Sequence, residues 1–368
     1  MAVDTLAGRP SSWRSGLVEL ERVETDDPAQ LLAFLDEHGL AGEPSTQSGQ
    51  VAVAVLVGAR GCARLGHVPE GRPSPAAVPE CVAIAYRRGS QDARPAGTAD
   101  IGSWQTSWTD AAHAGAVDQV RQAIARGEVY QANVVGHRSA TFRGDPAALV
   151  GALSGLPGAE YGGGLAGDGW LVASGSPEQL VRVVGSRVTT VPIKGTASDP
   201  AVLRSSAKDR AEHVMIVDLE RNDLARVTVA GSVTVDSLYD VRPWAGLWHA
   251  SSTVRGQLAP GVGTVDVLRA LAPGGSVTGA PKHAACRLLA GLEPVGRGPA
   301  MGALGFVWPG GMDLGLTIRT VAVADGVVHL WAGGAITWGS DPAEEVAEAH
   351  AKAWGVQQVL AQVRPSSS

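Results

Sequence analysis

The stretch Val191-Pro192-Ile193-Lys194-Gly195-Thr196 places one lysine inside an apolar strand, immediately before a glycine. An ammonium buried without a partner is costly to desolvate and gives up its proton, which is how proteins make a nucleophilic amine near neutral pH. A lysine between apolar residues can equally lay its stem along a strand edge with its head in water. The six residues alone leave both readings open, and the blocks on either side of them carry the choice.

Upstream, Ser174-Gly175-Ser176-Pro177-Glu178 lies between strands expected at 170–173 and 180–184. Before it, Tyr130-Gln131-Ala132-Asn133 belongs to a strand expected at 129–135, with Gln131 and Asn133 on one face. The helix ahead of that strand has Val117, Val120 and Ile124 at helical spacing, Asp110 as its N-cap and Gly127 just past its end. Downstream, residues 201–221 read as one long amphipathic helix carrying Asp209, Glu212, Ile216 and Leu219 in one stripe. Thr278-Gly279-Ala280-Pro281 reads as the cap and first turn of a helix to Leu289, whose free N–H groups would cradle an anion.

Further on, strands at 302–308 and 314–324 are joined by Pro309-Gly310-Gly311, and Thr317 and Arg319 share a face of the second. Asp325-Gly326 signals a hairpin into a strand at 327–331. Gly333-Gly334 follows as a turn or as a place where backbone N–H groups can approach a carboxylate. The last helix opens at Asp341-Pro342-Ala343-Glu344, a capping box with proline at the first helical position, and runs to about Val363. On it Glu345 and Glu348 share a face, where two carboxylates can converge on a hard cation such as Mg²⁺. Glu348 and Lys352 can instead form an ordinary exposed ion pair, worth roughly 0.3 to 0.5 kcal/mol.

The first hundred residues hold an expected helix at 27–38 and an apolar strand at Val51–Val57, then a Pro- and Gly-rich stretch at 69–79 and a polar linker or long loop at 87–106. The chain of 368 residues, 18% charged and 45% hydrophobic, has the balance of a globular protein and the length to bury a sizeable core. A formal charge of -6 offers no basic footprint for nucleic acid. The apolar run at 51–57 is too short to span a bilayer, and the N-terminus lacks a basic region followed by an apolar run. Cys62, Cys81 and Cys286 are too widely spaced for a disulfide framework or a zinc knuckle and fit a reducing compartment, so a soluble, cytoplasmic protein is expected. Many strands with helices between them give an α+β architecture.

These blocks, from about Val120 to Val363, resemble the chorismate-utilising enzymes, and the PIKGT run is most similar to the large subunits of the 4-amino-4-deoxychorismate synthases (component I). The resemblance implies a large two-sheet β-sandwich with inserted helices and a central cleft. It divides the chain into a short N-terminal region, 1–107, packed onto a chorismate-binding catalytic domain, 108–365. It also implies a reaction: chorismate and ammonia give 4-amino-4-deoxychorismate, for para-aminobenzoate and folate or related aromatic biosynthesis.

In that scheme Lys194 adds to ring C2 and expels the C4 hydroxyl, ammonia attacks C4, and Glu178 is the general acid and base. His249, in His249-Ala250-Ser251-Ser252, lies near the leaving hydroxyl; Glu212 and Glu348, with Glu345 and Asp209 nearby, hold Mg²⁺ against a substrate carboxylate. Arg319 and Lys352 receive the enolpyruvyl carboxylate, and Gln131, Thr196, Thr278, Gly279, Gly333 and Gly334 complete the substrate-binding set. Taken singly these residues have plain alternatives: a capping carboxylate for Glu178, a core histidine for His249, a solvated strand arginine for Arg319.

Anthranilate synthases have alanine where Lys194 stands, and the water-adding relatives have a lysine base where Gln131 stands, so the aminodeoxychorismate reaction is favoured and anthranilate formation comes second. Phe306 replaces a family tyrosine and Ala335 the third glycine of an AGGG-like run, which bears on chorismate binding. Residues 160–164 lack the PxSxF pattern of tryptophan-binding relatives, so no tryptophan site is expected. No glutaminase signature surrounds the three cysteines, so ammonia must come from solution or from a separate class I glutamine amidotransferase subunit. A non-catalytic chorismate- or partner-binding protein is the rival class, disfavoured because every catalytic position is filled.

Overall fold

Two antiparallel sheets frame the cleft in the computed structural model, which describes residues 17–45, 51–88, 97–244 and 247–363. In chain order these residues form β1 (Leu17–Thr25), α1 (Pro28–Glu37), β2 (Val51–Val57), α2 (Ala59–Leu65), β3 (Cys81–Arg88), β4 (Ala99–Ile101), β5 (Gln105–Thr106), α3 (Asp110–Ala125) and β6 (Gln131–Gly144). There follow α4 (Ala147–Ser154), β7 (Tyr161–Gly167), β8 (Trp170–Ser176), β9 (Gln179–Val184), β10 (Arg187–Val191), β11 (Ile193–Ala197), α5 (Pro200–Ser205), α6 (Ala207–Ala225), β12 (Thr234–Trp244) and β13 (Leu247–Gln257). The chain continues through α7 (Thr264–Leu271), β14 (Gly279–Ala280), α8 (Lys282–Leu292), β15 (Ala303–Trp308), β16 (Gly311–Leu316), β17 (Thr320–Ala324), β18 (Val327–Ile336) and α9 (Pro342–Ala361).

The first sheet runs β1-β3-β2-β15-β16-β9-β10-β13-β11, with β12 also on β13; the second runs β14-β6-β18-β17-β8-β7, with β4 and β5 on β6. Segment 1–107 thus supplies β1, β2 and β3 to the sheet that carries Lys194, and β2 pairs directly with β15. One apolar cluster draws Val181, Val183, Phe306 and Leu314 from the first sheet and Val135, Val172 and Trp331 from the second, so it is the layer between them. Strand alternation sends Ala132 and Val134 the other way, beneath α3 and α8, while Leu171, Val321 and Leu330 pack under α4 and α9. Gln131 and Asn133 consequently share the inward face with Val135.

Several sequence expectations need correction. The linker expected at 87–106 contains two short strands, β4 and β5, that pair with β6; its residues 89–96, like residues 1–16 where a leader would lie, fall outside the described residues. Thr109, not Asp110, caps α3, accepting from the Ala112 N–H. The helix expected at 201–221 is two helices: Ser206 leaves the helical conformation and its hydroxyl caps the Asp209 N–H at 3.1 Å, a Ser-x-x-Asp signal that the continuous apolar stripe concealed. The strand expected at 314–324 is also two. The chain leaves the first sheet at Leu316 and joins the second at Thr320, turning through Arg319 at φ 48°. Both halves are buried, so the apolar pattern runs straight across the break. β6, β8 and β18 each run beyond their expected ends, and the Asp325-Gly326 turn has both residues at positive φ, as a two-residue hairpin requires.

Between the sheets His137 and His329 face each other with Nε2 and Nδ1 3.0 Å apart, Ser107 Oγ lies 2.5 Å from His137 Nδ1, and Trp331 packs on both rings. Burial pushes each imidazole down to about 4. A histidine depressed on folding contributes stability that is complete above its unfolded value near 6.5 and is lost as pH falls through its folded value. Stability is therefore expected to fall from about pH 6.5 towards 4, by roughly 2 kcal/mol per histidine after allowing for coupling between the rings. Urea midpoints across that range, compared with those of a His137→Asn/His329→Asn variant, check this; equal slopes for the two proteins would count against the buried neutral pair.

Candidate active site

Lys194 sits on β11, an end strand of the first sheet whose residues are partly exposed, not in the buried strand expected from its apolar neighbours. Its register with β13 slips: Ile193 faces Ser251 and Thr196 faces His249, so Lys194 and Gly195 together oppose Ala250. Gly195 takes φ 82° in this bulge, and a Cβ there would lie 3.0 Å from Leu203 and 3.2 Å from Asp209, so a side chain would be strained by the backbone conformation and crowded by both neighbours. The bulge releases the Lys194 side chain from the sheet edge, and Nζ donates to the Ser276 carbonyl at 3.1 Å.

Glu178, on the β8–β9 connection, accepts from the Ile193 N–H at 3.3 Å and is hydrogen-bonded to Ser276. It is 4% exposed. Burial raises its carboxyl above the ordinary range, against the opposing pull of Lys194. On the other side of the bulge Thr196 Oγ1 lies 2.9 Å from His249 Nδ1. Burial, reinforced by Arg319, holds His249 down at about 4, so its ring is neutral at pH 7. Arg319, expected on a strand face, occupies the turn between the sheets; burial lowers its guanidinium, and among the described residues it has no carboxylate partner, only a long contact to the Pro157 carbonyl at 3.5 Å. A desolvated guanidinium without an acid suits an anionic ligand.

The second group gathers around Gly334. Gly333 and Gly334 lie within β18, paired with Val135 and Val134, so of the two readings left open for them the turn is not what forms. A Cβ on Gly334 would stand 3.2 Å from a Glu345 oxygen and 3.5 Å from a Glu348 oxygen. Glu345 accepts from Ser340 at 2.6 Å and Lys208 at 3.3 Å, and Glu348 pairs with Lys352 at 2.6 Å, whose Nζ also donates to the Gly333 carbonyl. Burial pulls the Glu348 carboxyl up, but Lys352, Lys208 and Lys194 together outweigh it and leave it lowered. Glu212, on α6, is raised by burial, with Lys194 and Lys208 opposing. The Lys194 charge thus lowers the carboxyls of Glu178, Glu212 and Glu348 alike, so the two groups share its field.

Thr278 is not a helix cap. Gly279 and Ala280 pair with Ala132 and Gln131 of β6, Thr278 Oγ1 turns back to the Gly274 carbonyl at 2.8 Å, and α8 begins only at Lys282. The loop from Gly274 to Ala280 thus links the carbonyl that holds Lys194 to the strand that carries Gln131. Gln131 is 1% exposed and its Oε1 has no hydrogen-bond partner among the described residues.

A family profile described as chorismate binding enzyme matches residues 69–357. The chain belongs to the chorismate-binding enzyme family. The anthranilate synthase component 1 of Streptomyces coelicolor is 39% identical over 320 residues, covering 83% of this chain and 59% of that protein. The aminodeoxychorismate synthase component 1 of Escherichia coli is 37% identical over 271 residues, covering 71% of this chain and 59% of that protein. The chain spans about three fifths of the length of these curated relatives. The crystal structure of anthranilate synthase component I from Streptococcus pneumoniae superposes with a TM-score of 0.81 over 93% of this chain and 91% of that one, at 23% identity. The menaquinone-specific isochorismate synthase MenF of Escherichia coli does so with 0.75 over 94% and 85%, at 19% identity. These likenesses fix family and fold. Relatives of two different names at nearly equal identity do not fix the reaction.

For a chorismate-binding enzyme, some of the groups that shape this cleft were not singled out from sequence. Ser276 receives Lys194 through its backbone, which no side-chain motif reveals. Lys208, in the same block as Glu212, neutralises Glu345. Arg297, with its side chain 10% exposed, donates to Glu293 and to the carbonyls of Val277 and Asn133, all at 2.6 to 2.8 Å, and so ties the 274–280 loop to β6. Among the described residues no three His, Cys, Asp or Glu side chains are grouped so as to hold a metal ion. Glu345 and Glu348 nonetheless offer the hard carboxylate oxygens that Mg²⁺ takes, beside a residue with no side chain to obstruct them, and Glu212 on α6 is the third acid of the expected set. No helix among the described residues is long and apolar enough to cross a membrane.

Proposed function

We propose that this chain is the chorismate-converting component of an aminodeoxychorismate synthase, forming 4-amino-4-deoxychorismate from chorismate and ammonia. The observation that carries the reading is the Lys194 amine, bulged out of its strand beside a buried acid, Glu178, whose carboxyl is raised and so able to hold a proton. Chorismate brings two carboxylates and an allylic hydroxyl. Arg319 and Lys352 are the cations for the enolpyruvyl carboxylate. Glu212, Glu345 and Glu348 would hold Mg²⁺, which when bound supplies the positive charge that lets the other carboxylate approach an acidic wall.

Acting as the free amine, Lys194 adds to ring C2, both double bonds of the ring diene shift by one position round the C1–C6–C5 side, and the C4 hydroxyl leaves as water with the proton of Glu178. The Glu178 carboxylate then takes the proton shed by the new secondary amine. Ammonia adds at C4, both double bonds shift back, and Lys194 departs from C2 with that proton. The C4 ammonium returns a proton to Glu178, so the balance is chorismate plus ammonia giving product plus water. His249, kept neutral beside Thr196, offers a hydrogen-bonding edge without adding charge near the leaving hydroxyl. Ammonia would reach the site from solution or from a separate glutaminase subunit.

The second reading, an anthranilate synthase component, is favoured by the Streptomyces coelicolor relative, which aligns with 83% of this chain. Incubation with chorismate, Mg²⁺ and ammonium at raised pH, with product identified by mass spectrometry and NMR, separates the two. The 4-amino product is expected, none with glutamine as sole nitrogen source, and none in excess EDTA; Glu348→Ala should mimic the chelator. Anthranilate and pyruvate as products would replace the first reading with the second, and undiminished turnover in EDTA would remove the metal from either.

A further inference from the structure

His213 lies on α6 directly after Glu212, is fully buried, and has no part in the chemistry above. Its Nε2 stands 2.9 Å from the Lys194 carbonyl and 3.1 Å from the Ala250 carbonyl. Both oxygens can only accept, so Nε2 carries the hydrogen, and in the neutral ring Nδ1 is left to accept from Ser252 Oγ at 2.8 Å. The Ser252 hydroxyl is itself fixed, accepting from the Tyr239 N–H at 3.0 Å, and the Tyr239 ring meets the imidazole edge-on at 4.9 Å. Every polar atom of the ring is thus used, and its orientation is set from β12 and β13.

The two carbonyls it bridges are not arbitrary. They belong to the two sides of the β11–β13 bulge: Lys194 is one of the two residues on the long side and Ala250 is the single residue opposite. A bulge removes a ladder bond and leaves its polar groups to find other partners. We propose that His213 is the positioning residue for Lys194: by donating to the Lys194 and Ala250 carbonyls it replaces the ladder bond lost at the bulge and locks the kink that carries the Lys194 amine to the Ser276 carbonyl. Glu178 holds the preceding peptide through the Ile193 N–H, so the lysine is clamped from α6 behind and from the cleft in front. This deepens the reading of Lys194 as nucleophile and rests on it for the catalytic consequence, but the geometric claim concerns the bulge alone.

The test uses the full chain with His213→Met, which removes the donor, and His213→Gln, whose amide N–H can reach the same carbonyls. The first readout is independent of turnover: limited acetylation by an N-hydroxysuccinimide ester, with the Lys194 to Lys208 labelling ratio read by peptide mass spectrometry. The ratio is expected to change by about threefold or more in His213→Met and to stay within about twofold of the parent in His213→Gln, as release and retention of the bulge require. The second readout is kinetic: kcat should fall by about 10²-fold in His213→Met, with KM for chorismate within about threefold, because a misplacement near 1 Å costs about that much in rate. Should His213→Met not fold, Ser252→Ala, which frees only the ring, is to show the altered labelling ratio. An unchanged ratio in the folded variant, or His213→Gln as impaired as His213→Met, overturns the proposal. If Lys194→Ala retains full turnover while the labelling ratio still moves, the nucleophile reading fails and the positioning role stands.

Discussion

Lys194→Ala is expected to lower kcat by on the order of 10³-fold or more, with far smaller change in KM, because it removes a covalent route and not merely a binding contact. Alanine leaves Glu178 and Glu212 without the cation that lowers them most, so both carboxyls should rise further, and the pH profile of any residual activity should move upward. What activity remains is expected to shift towards attack at C2, since the pocket then matches the alanine-bearing pattern. Single-turnover mass spectrometry on the parent enzyme should show the adduct on the Lys194 peptide. An alanine variant of normal rate making the 4-amino product would mean that the lysine is a partly exposed edge residue with no part in the chemistry, and the proposed reaction would lose its main support.

Arg297→Met is expected to destabilise the protein by about 3 to 5 kcal/mol, the usual consequence of leaving one partner of a buried ion pair uncompensated. Here the abandoned group is Glu293, 8% exposed, whose Oε1 also accepts from the Val135 N–H at 3.1 Å. The carbonyls of Val277 and Asn133 lose their donor at the same stroke. A second substitution, Glu293→Leu, should recover part of the loss by removing the stranded charge, but not all of it, since three backbone groups stay unsatisfied. Urea unfolding of the two variants measures this, and full recovery in the double variant would show that the arginine serves the glutamate alone. Because Arg297 ties the 274–280 loop to β6, a rise in KM is expected wherever the protein remains folded.

Much of the candidate site is legible in the residues because the proposed chemistry needs side chains of fixed type in fixed local settings. A lysine before a glycine, an acid after Ser-Pro, and Glu345 and Glu348 one helical turn apart are all short-range facts; the structure sets Glu178 against the peptide before Lys194 and gathers Glu345 and Glu348 at Gly334. Strand alternation likewise gave the common inward face of Gln131 and Asn133, and Asp341-Pro342 gave the start of the last helix. What misled was continuity of apolar character. Residues 314–324 and 201–221 read as single elements because burial, which sets the pattern, continues across a turn between sheets and across a serine cap.

The sequence by itself determined the inventory: which acids, cations and glycines exist, at what spacing, and in the order of a chorismate-binding enzyme. Only the tertiary structure decided how they are held. The bulge at Lys194 is a register difference between β11 and β13, strands more than fifty residues apart, and register depends on pairing that no local window contains. The same holds for Ser276 and Val277, which act through backbone carbonyls, groups that every residue carries and that become specific only when the chain folds them against Lys194 and Arg297.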